Sequence, residues 1–190
     1  LNVVTFDLET RELAQDLEQG WRALLEGKGG ISALIGWSSQ DGRPYIFDDD
    51  TLEGAVSMLE EADLVLSFNG VNFDVPVVEG LHGRKLTVKA HLDLHQLIRE
   101  ALEGRVGPKR GYSLGECAQR TLGKGKSGIG SDVPTMIDHG QWGRIFNYCL
   151  DDVLLTRELF QFTQQHGGIV GVNGEILPLS FPDWFAKVQI

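Results

Sequence analysis

Asn2-Val3-Val4-Thr5-Phe6-Asp7-Leu8-Glu9-Thr10 is the stretch that decides the fold. Side chains alternate along a strand, so Val4, Phe6 and Leu8 fall on one face and Val3, Thr5, Asp7 and Glu9 on the other. Apolar residues on both faces predict a strand covered on both sides, hence central in its sheet. Asp7 and Glu9 are two residues apart and therefore project to the same side.

Outward from this strand, Leu13, Leu17, Trp21, Leu24 and Leu25 recur at helical spacing and predict an amphipathic helix or helical loop. Residues 31–39 and 44–47 read as two strands joined by a turn at Asp41-Gly42, and Thr51 can cap a helix that runs to about Ala62. Residues 64–68 are a short apolar run, most simply a buried strand; Asn69-Gly70-Val71-Asn72 then breaks the chain before Phe73-Asp74 leads into a short helix. Residues 86–90 predict another strand, and Asp93 a cap for a helix through Leu102. A helix over 113–122 follows, then a long one over 141–165 with Phe146, Leu150, Val153 and Leu154 on one stripe, then a hairpin at Asn173-Gly174. Residues 104–112 and 123–130 read as loops. Strands and helices in this order predict an α/β architecture, a mixed sheet packed between helices. With no internal repeat and no linker, residues 1–190 are expected to form a single domain.

Three acidic patches sit where such elements deliver side chains to a surface: Asp7 with Glu9 on the strand, Asp74 just past a buried strand and a tight break, and Asp152 on the long helix. Tyr148 and Asp152 are four apart and share a helix face, whereas Asp151 turns away. Carboxylates gathered together repel by about 4 kcal/mol per pair at ~4 Å in a medium of dielectric near ~20. Such a cluster persists only if cations fill it, and an all-oxygen ligand set favours Mg²⁺ or Mn²⁺ over zinc or copper.

Together, Asp7-Leu8-Glu9-Thr10, Asn69-Gly70-Val71-Asn72-Phe73-Asp74 and Tyr148-Cys149-Leu150-Asp151-Asp152 resemble the three exonuclease motifs of the DEDD superfamily, tyrosine branch. Gly20-Trp21, Ser113-Leu114, Leu122-Gly123, Lys126 and Asn147-Tyr148-Cys149 are similar, more narrowly, to exonuclease domains found beside helicases, and the middle segment also to those of family-B polymerases. The resemblance implies a ribonuclease-H-like fold with a mixed five-stranded sheet flanked by helices. It also implies hydrolysis of phosphodiester bonds from the 3′ end of single-stranded nucleic acid, DNA rather than RNA, with two divalent cations, Mg²⁺ or Mn²⁺. Asp7 would bridge both ions, Glu9 and Asp152 would hold one, Asp74 would support the other through water, and Tyr148 would orient the nucleophile. Leu8 and Thr10 would contact the terminal nucleotide, with Asn69 a further substrate-binding residue. The histidine branch would place His near position 147, where this chain has Asn147.

Net charge is −10, yet Arg84 to Lys126 holds ten Lys or Arg against four Asp or Glu. This basic band is expected to grip phosphate upstream of the 3′ end through Lys109, Arg110, Lys124 and Lys126, with Arg105 and Arg120 nearby and Tyr112 stacking on a base. The competing reading of the band is a solvated loop region. Two cysteines make neither a disulfide framework nor a zinc pattern, which fits a reducing, cytoplasmic compartment. No apolar run reaches the roughly 20 residues of a membrane span. The expected partners are a single strand of DNA, or RNA, with a free 3′ end, and a helicase or polymerase.

Two other patterns point elsewhere and are set aside. His91-Leu92-Asp93-Leu94-His95 has ligand-like spacing but is explained by a capping aspartate between two partly buried histidines. Gly125-Lys126-Ser127 imitates the end of a phosphate loop, but Arg120 stands where that loop needs its first glycine. A catalytically idle binding module of a helicase or polymerase would lack one or more of the four carboxylates, and all four are present. An endonuclease or transposase of the same general fold would lack the Tyr-xxx-Asp helix motif. A 3′–5′ exoribonuclease remains the alternative to a DNA exonuclease.

Overall fold

Strand β1 (Val3–Thr10) lies at the middle of the sheet, buried on both sides as its alternating apolar faces require. The computed structural model describes residues 1–104, 110–128 and 130–190. Antiparallel β2 (Ile31–Ser38) pairs with β1, setting Asp7 opposite Ile35 and Glu9 opposite Ala33, and the register slips between Glu9 and Thr10. Outside β2 lies β3 (Arg43–Phe47); on the other side of β1 lie parallel β4 (Leu64–Ser67) and β5 (His91–Asp93). The order is β3-β2-β1-β4-β5, a mixed five-stranded sheet flanked by helices: the α/β architecture that the element order predicts and the ribonuclease-H-like form that the resemblance implies.

One face of the sheet is closed by α2 (Leu52–Glu61) and α3 (Asp74–His82), which cover Val4, Phe6 and Leu8. The other carries α7 (Trp142–His166), together with α4 (Leu94–Leu102), α5 (Leu114–Leu122) and α6 (Val133–Asp138). Along α7 the residues Ile145, Tyr148, Cys149, Asp152, Val153 and Thr156 form the buried stripe that the helical period demands. A separate hairpin of β6 (Gly168–Val170) and β7 (Ile176–Pro178) follows, with its turn at the predicted Asn173-Gly174. Among the described residues no helix is long and apolar enough to cross a membrane.

Several local expectations are corrected. Residues 86–90 are not a strand: the backbone N–H of Leu86 is bound by the Glu79 carboxylate and that of Thr87 by Glu60, so side chains satisfy the backbone in place of a ladder. The edge strand falls one segment later, with Val65 opposite His91. The leucine-rich stretch after β1 takes the helical-loop form of its two expected alternatives, a 3₁₀ turn over Ala14–Asp16 and the short α1 (Trp21–Leu25), separated at Gly20 by a positive φ. Thr51 does not cap α2 with its side chain; Asp48 opens that region in a reciprocal capping box with Thr51. Helix α6, with proline in its first turn, lies in a stretch for which the sequence pattern predicts neither helix nor strand.

Candidate active site

The side chains of Asp7 and Glu9 leave β1 on the α7 face, and Asp152 descends onto them from that helix. One carboxylate oxygen from each of the three lies within 4.8 Å of the others. The strand period puts Asp7 and Glu9 on one side and the helix period presents Asp152, and the packing of α7 on β1 brings the three together, as the resemblance implies. Cys149, one turn before Val153, is buried against β1 and its S–H donates to the Asp7 carbonyl at 3.4 Å. Asp151 is not part of the cluster.

Asp74, the fourth expected ligand, is not among the three converging groups; it stands beside them, arriving from another direction and near enough for its charge to act on Asp7 and Glu9. It is the first residue of α3, is 3% exposed, and its Oδ1 accepts the N–H of Leu8 at 2.9 Å. Leu8 lies between Asp7 and Glu9, so Asp74 fixes the part of β1 that carries both carboxylates.

Burial is the largest influence on each of these acids, and repulsion from neighbouring carboxylates of the site adds to it for Asp7, Glu9 and Asp74. Asp7 is held well above the ordinary carboxylate range by burial and then by the charges of Asp74, Asp152 and Glu9. Glu9 is pushed up to about 8 by burial and Asp152, against the opposing pull of Lys126. Asp74 is raised to about 7, burial outweighing the Leu8 hydrogen bond. Asp152 is raised by burial in spite of an ion pair with Lys126 at 2.5 Å, and its Oδ1 is buried with no hydrogen-bond partner. A buried carboxylate oxygen without a donor is costly unless a cation completes it. The donor set is all oxygen, anionic and convergent, and Asp7, Glu9 and Asp152 could hold a divalent cation, with Asp74 beside them.

Lys126, expected in the basic band that grips phosphate upstream of the 3′ end, lies against the carboxylates: its ammonium bonds Asp152 and donates to the Tyr148 hydroxyl at 3.2 Å, lying 5.3 Å from that ring. Burial alone would lower its pKa; Asp152 and Tyr148 outweigh that and raise it. The loop carrying Lys126 closes on the site: a Cβ at Gly128 would lie 3.2 Å from the Tyr148 ring, and one at Gly130 would lie 3.4 Å from a Glu9 oxygen. Two glycines let this backbone approach where a side chain would crowd the cluster.

The remaining substrate-binding expectations fare differently. Leu8 is buried in the core beneath α2 and α3, so its side chain does not face a nucleotide. Thr10 is buried, and its hydroxyl donates to the Glu12 carbonyl. Tyr112 is 7% exposed, with the Arg120 guanidinium 5.2 Å from its ring, so it offers no face for a base to stack on. Arg120 itself bonds the Gly111 and Val170 carbonyls. Lys124 pairs with Glu158, and Asn69 accepts a contact from His95. Arg110 is exposed; Arg105 and Lys109 lie outside the described residues. The band is thus partly structural, and one of its members belongs to the carboxylate cluster.

These shifts fix how stability depends on pH. Carboxyls with a folded pKa near 7–8 and an unfolded pKa near 4 keep protons in the folded state that the unfolded chain has already released. The stability they contribute is complete below about pH 4 and is lost as pH rises through 7–8. In chelator, the thermal midpoint is expected to fall between pH 5 and pH 8, and Mg²⁺ or Mn²⁺ at pH 8 should restore it, because a cation displaces those protons. A metal-free midpoint that is flat over that range would contradict the cluster's electrostatics.

Residues 4–164 match the RNase_H superfamily. Over 168 residues the chain is 29% identical to DNA polymerase 1 of Aeropyrum pernix, covering 75% of this chain and 17% of that protein. The family B DNA polymerase from the archaeon Pyrobaculum calidifontis superposes with a TM-score of 0.61 at 21% identity, over 100% of this chain and 27% of that one. The chain thus spans about a sixth of the curated polymerase that it matches and about a quarter of the polymerase that shares its fold. The family match runs from the second residue of β1 almost to the end of α7, enclosing every element that carries the cluster, and the chain belongs to the RNase H superfamily.

Proposed function

We propose that this chain is a metal-dependent 3′–5′ exonuclease acting on single-stranded nucleic acid, and that residues 1–190 form one such catalytic unit. The observation that carries the reading is the convergence of Asp7, Glu9 and Asp152 within 4.8 Å, with one Asp152 oxygen buried and unpartnered. Two Mg²⁺ or Mn²⁺ ions, held by Asp7, Glu9 and Asp152 with Asp74 in support, would neutralise the phosphate, lower the pKa of water and stabilise the charge of the transition state.

The protein's own groups do the positioning. Tyr148 is nearly buried, and burial, Asp152 and Glu9 raise its pKa, so it stays neutral and aims the attacking water through a hydrogen bond. Lys126 holds Asp152 and the Tyr148 hydroxyl in one arrangement and brings a positive charge to the place where phosphate would arrive. Attack from the 3′ end is supported by the tyrosine-type third motif. DNA is favoured as substrate by the likeness to a DNA polymerase, which also makes a polymerase the first partner to test, with a helicase the alternative.

The test uses oligonucleotides labelled at the 5′ end. With Mg²⁺ or Mn²⁺ a ladder of progressively shorter products is expected, and chelator should remove it. DNA should be cut faster than RNA of the same sequence. Immediate release of a labelled 5′ mononucleotide, or cleavage undiminished by chelator, would overturn the proposal.

A further inference from the structure

The His91-Leu92-Asp93-Leu94-His95 segment, which supplies no ligand to the cluster, has a different part to play. Asp93 is 3% exposed and its carboxylate takes four donors. Oδ1 accepts the N–H groups of Asn69 at 2.9 Å and Gln96 at 3.0 Å; Oδ2 accepts the N–H of Val71 at 2.9 Å and the hydroxyl of Ser67 at 3.1 Å. Only the Gln96 bond is a helix cap. Asn69 and Val71 lie more than twenty positions earlier in the chain, in the turn that ends β4 and starts α3.

That turn would not hold its shape unaided. Asn69 has a φ of +69°, the one positive φ at a non-glycine among the described residues. Gly70 sits so close to Ser67 that a Cβ there would lie 2.6 Å from the serine Cβ. The two histidines secure the same region. His95 Nδ1 lies 3.0 Å from the Asn69 side-chain oxygen, with its ring stacked on Phe68, and His91 Nε2 lies 2.8 Å from the Ser67 hydroxyl. Next, the N–H groups of Asn72 and Phe73 return to the Asn69 carbonyl, and Val75 bonds Gly70, winding the chain into α3 at Asp74. Asp74 in turn holds the N–H of Leu8 between Asp7 and Glu9. A strained residue persists only where its surroundings over-determine it, and here a buried carboxylate does so.

We infer that Asp93 is a positioning residue for the carboxylate cluster: it clamps the Asn69–Val71 turn and thereby sets where Asp74 stands. The inference rests on the exonuclease reading, but it concerns cation binding as well as cleavage, so the two can fail separately. Partners of metal-binding groups typically change affinity or activity by about 10–100-fold when removed.

The experiment measures Mn²⁺ binding by calorimetry, kcat and KM on single-stranded DNA, and the thermal midpoint for Asp93→Ala, Asp74→Asn and the double variant. Asp93→Ala should weaken Mn²⁺ binding and lower kcat, each by about 10–100-fold, with KM little changed. In the Asp74→Asn background the further loss should be under about 3-fold, because both changes act through one group. Ser113→Ala removes the cap of α5, far along the chain from this turn; it should lower the midpoint while kcat and Mn²⁺ binding stay as in the wild type. Asp93→Asn keeps an acceptor for Asn69 and Gln96 but not for Val71, and it carries the same cycle should the alanine variant not fold. Wild-type Mn²⁺ affinity and kcat in the folded Asp93 variant, or losses that multiply in full with those of Asp74→Asn, would overturn the inference. A wild-type chain that binds Mn²⁺ but cuts no strand would sink the exonuclease reading, and Asp93 would then be judged on Mn²⁺ binding alone.

Discussion

Replacing Asp7 or Asp152 by alanine is expected to lower cleavage on the order of 10⁴-fold, the scale on which one member of a catalytic unit acts. Each removal takes an oxygen from the convergent set and leaves too few ligands to hold cations against water. The same substitutions separate function from folding. Asp7 is buried among like charges, so Asp7→Ala removes repulsion and should raise the thermal midpoint in chelator, most clearly at pH 8. Asp152→Ala removes repulsion too but strands the Lys126 ammonium, so its gain should be smaller or absent. In Mg²⁺ the order reverses: the wild type is stabilised by bound cation and neither variant follows. Activity within tenfold of wild type in both purified variants would remove these residues from the site.

The sequence made the cluster legible to different degrees, and the reason lies in how far each contact reaches. Asp7 with Glu9, and Tyr148 with Asp152, are placed by the internal periods of a single strand and a single helix. Those periods survive in the fold because both elements are long and buried on the faces concerned. Asp74 was marked by the break that precedes it, which is a local signal, but its bond to Leu8 is not. Nothing near Asp93 announces that its carboxylate holds a turn more than twenty residues upstream; by local rules it is a helix cap, and that is only a quarter of its hydrogen bonding.

The errors have the same origin. Tyr112 and Arg120 look like a surface pair in a basic loop, yet they pack on one another and on the β6–β7 hairpin, Arg120 donating to the Val170 carbonyl and the Tyr112 hydroxyl accepting the N–H of Val172, fifty or more residues later. Lys126 looks like another solvated cation among glycines, and the glycines are there so that its loop can press against Tyr148 and Glu9. The three-residue β5 is too short to show a period, so the alternating residues before it drew the assignment instead. Charge summed along the chain therefore overstated what is free to meet a strand. Among the described members of the two loops, Arg110 is exposed and Lys124 has an acidic neighbour in Glu158.

Tyr148 gives the sharpest test of how the site works. Its hydroxyl lies beside the cluster, accepts from Lys126 and keeps its proton because of burial and the carboxylates around it, so it is suited to position water and not to act as a base near pH 7. Tyr148→Phe keeps the ring, the packing of Gly128 against it and the nearby Lys126 charge, and removes one oxygen. Cleavage is expected to slow by about 10²-fold, the low end for a positioned proton-transfer group. The pH–rate profile should keep its shape, because the tyrosine is not the group that titrates. Lys126→Ala should also slow cleavage, and more than Tyr148→Phe does, since it releases Asp152 as well as the hydroxyl. Measured in the Tyr148→Phe background, Lys126→Ala should cost less than it does alone, because one of its two bonds is already gone. A basic limb that disappears from the profile of Tyr148→Phe would make the tyrosine a true base, and the neutral, aiming hydroxyl would have to be given up.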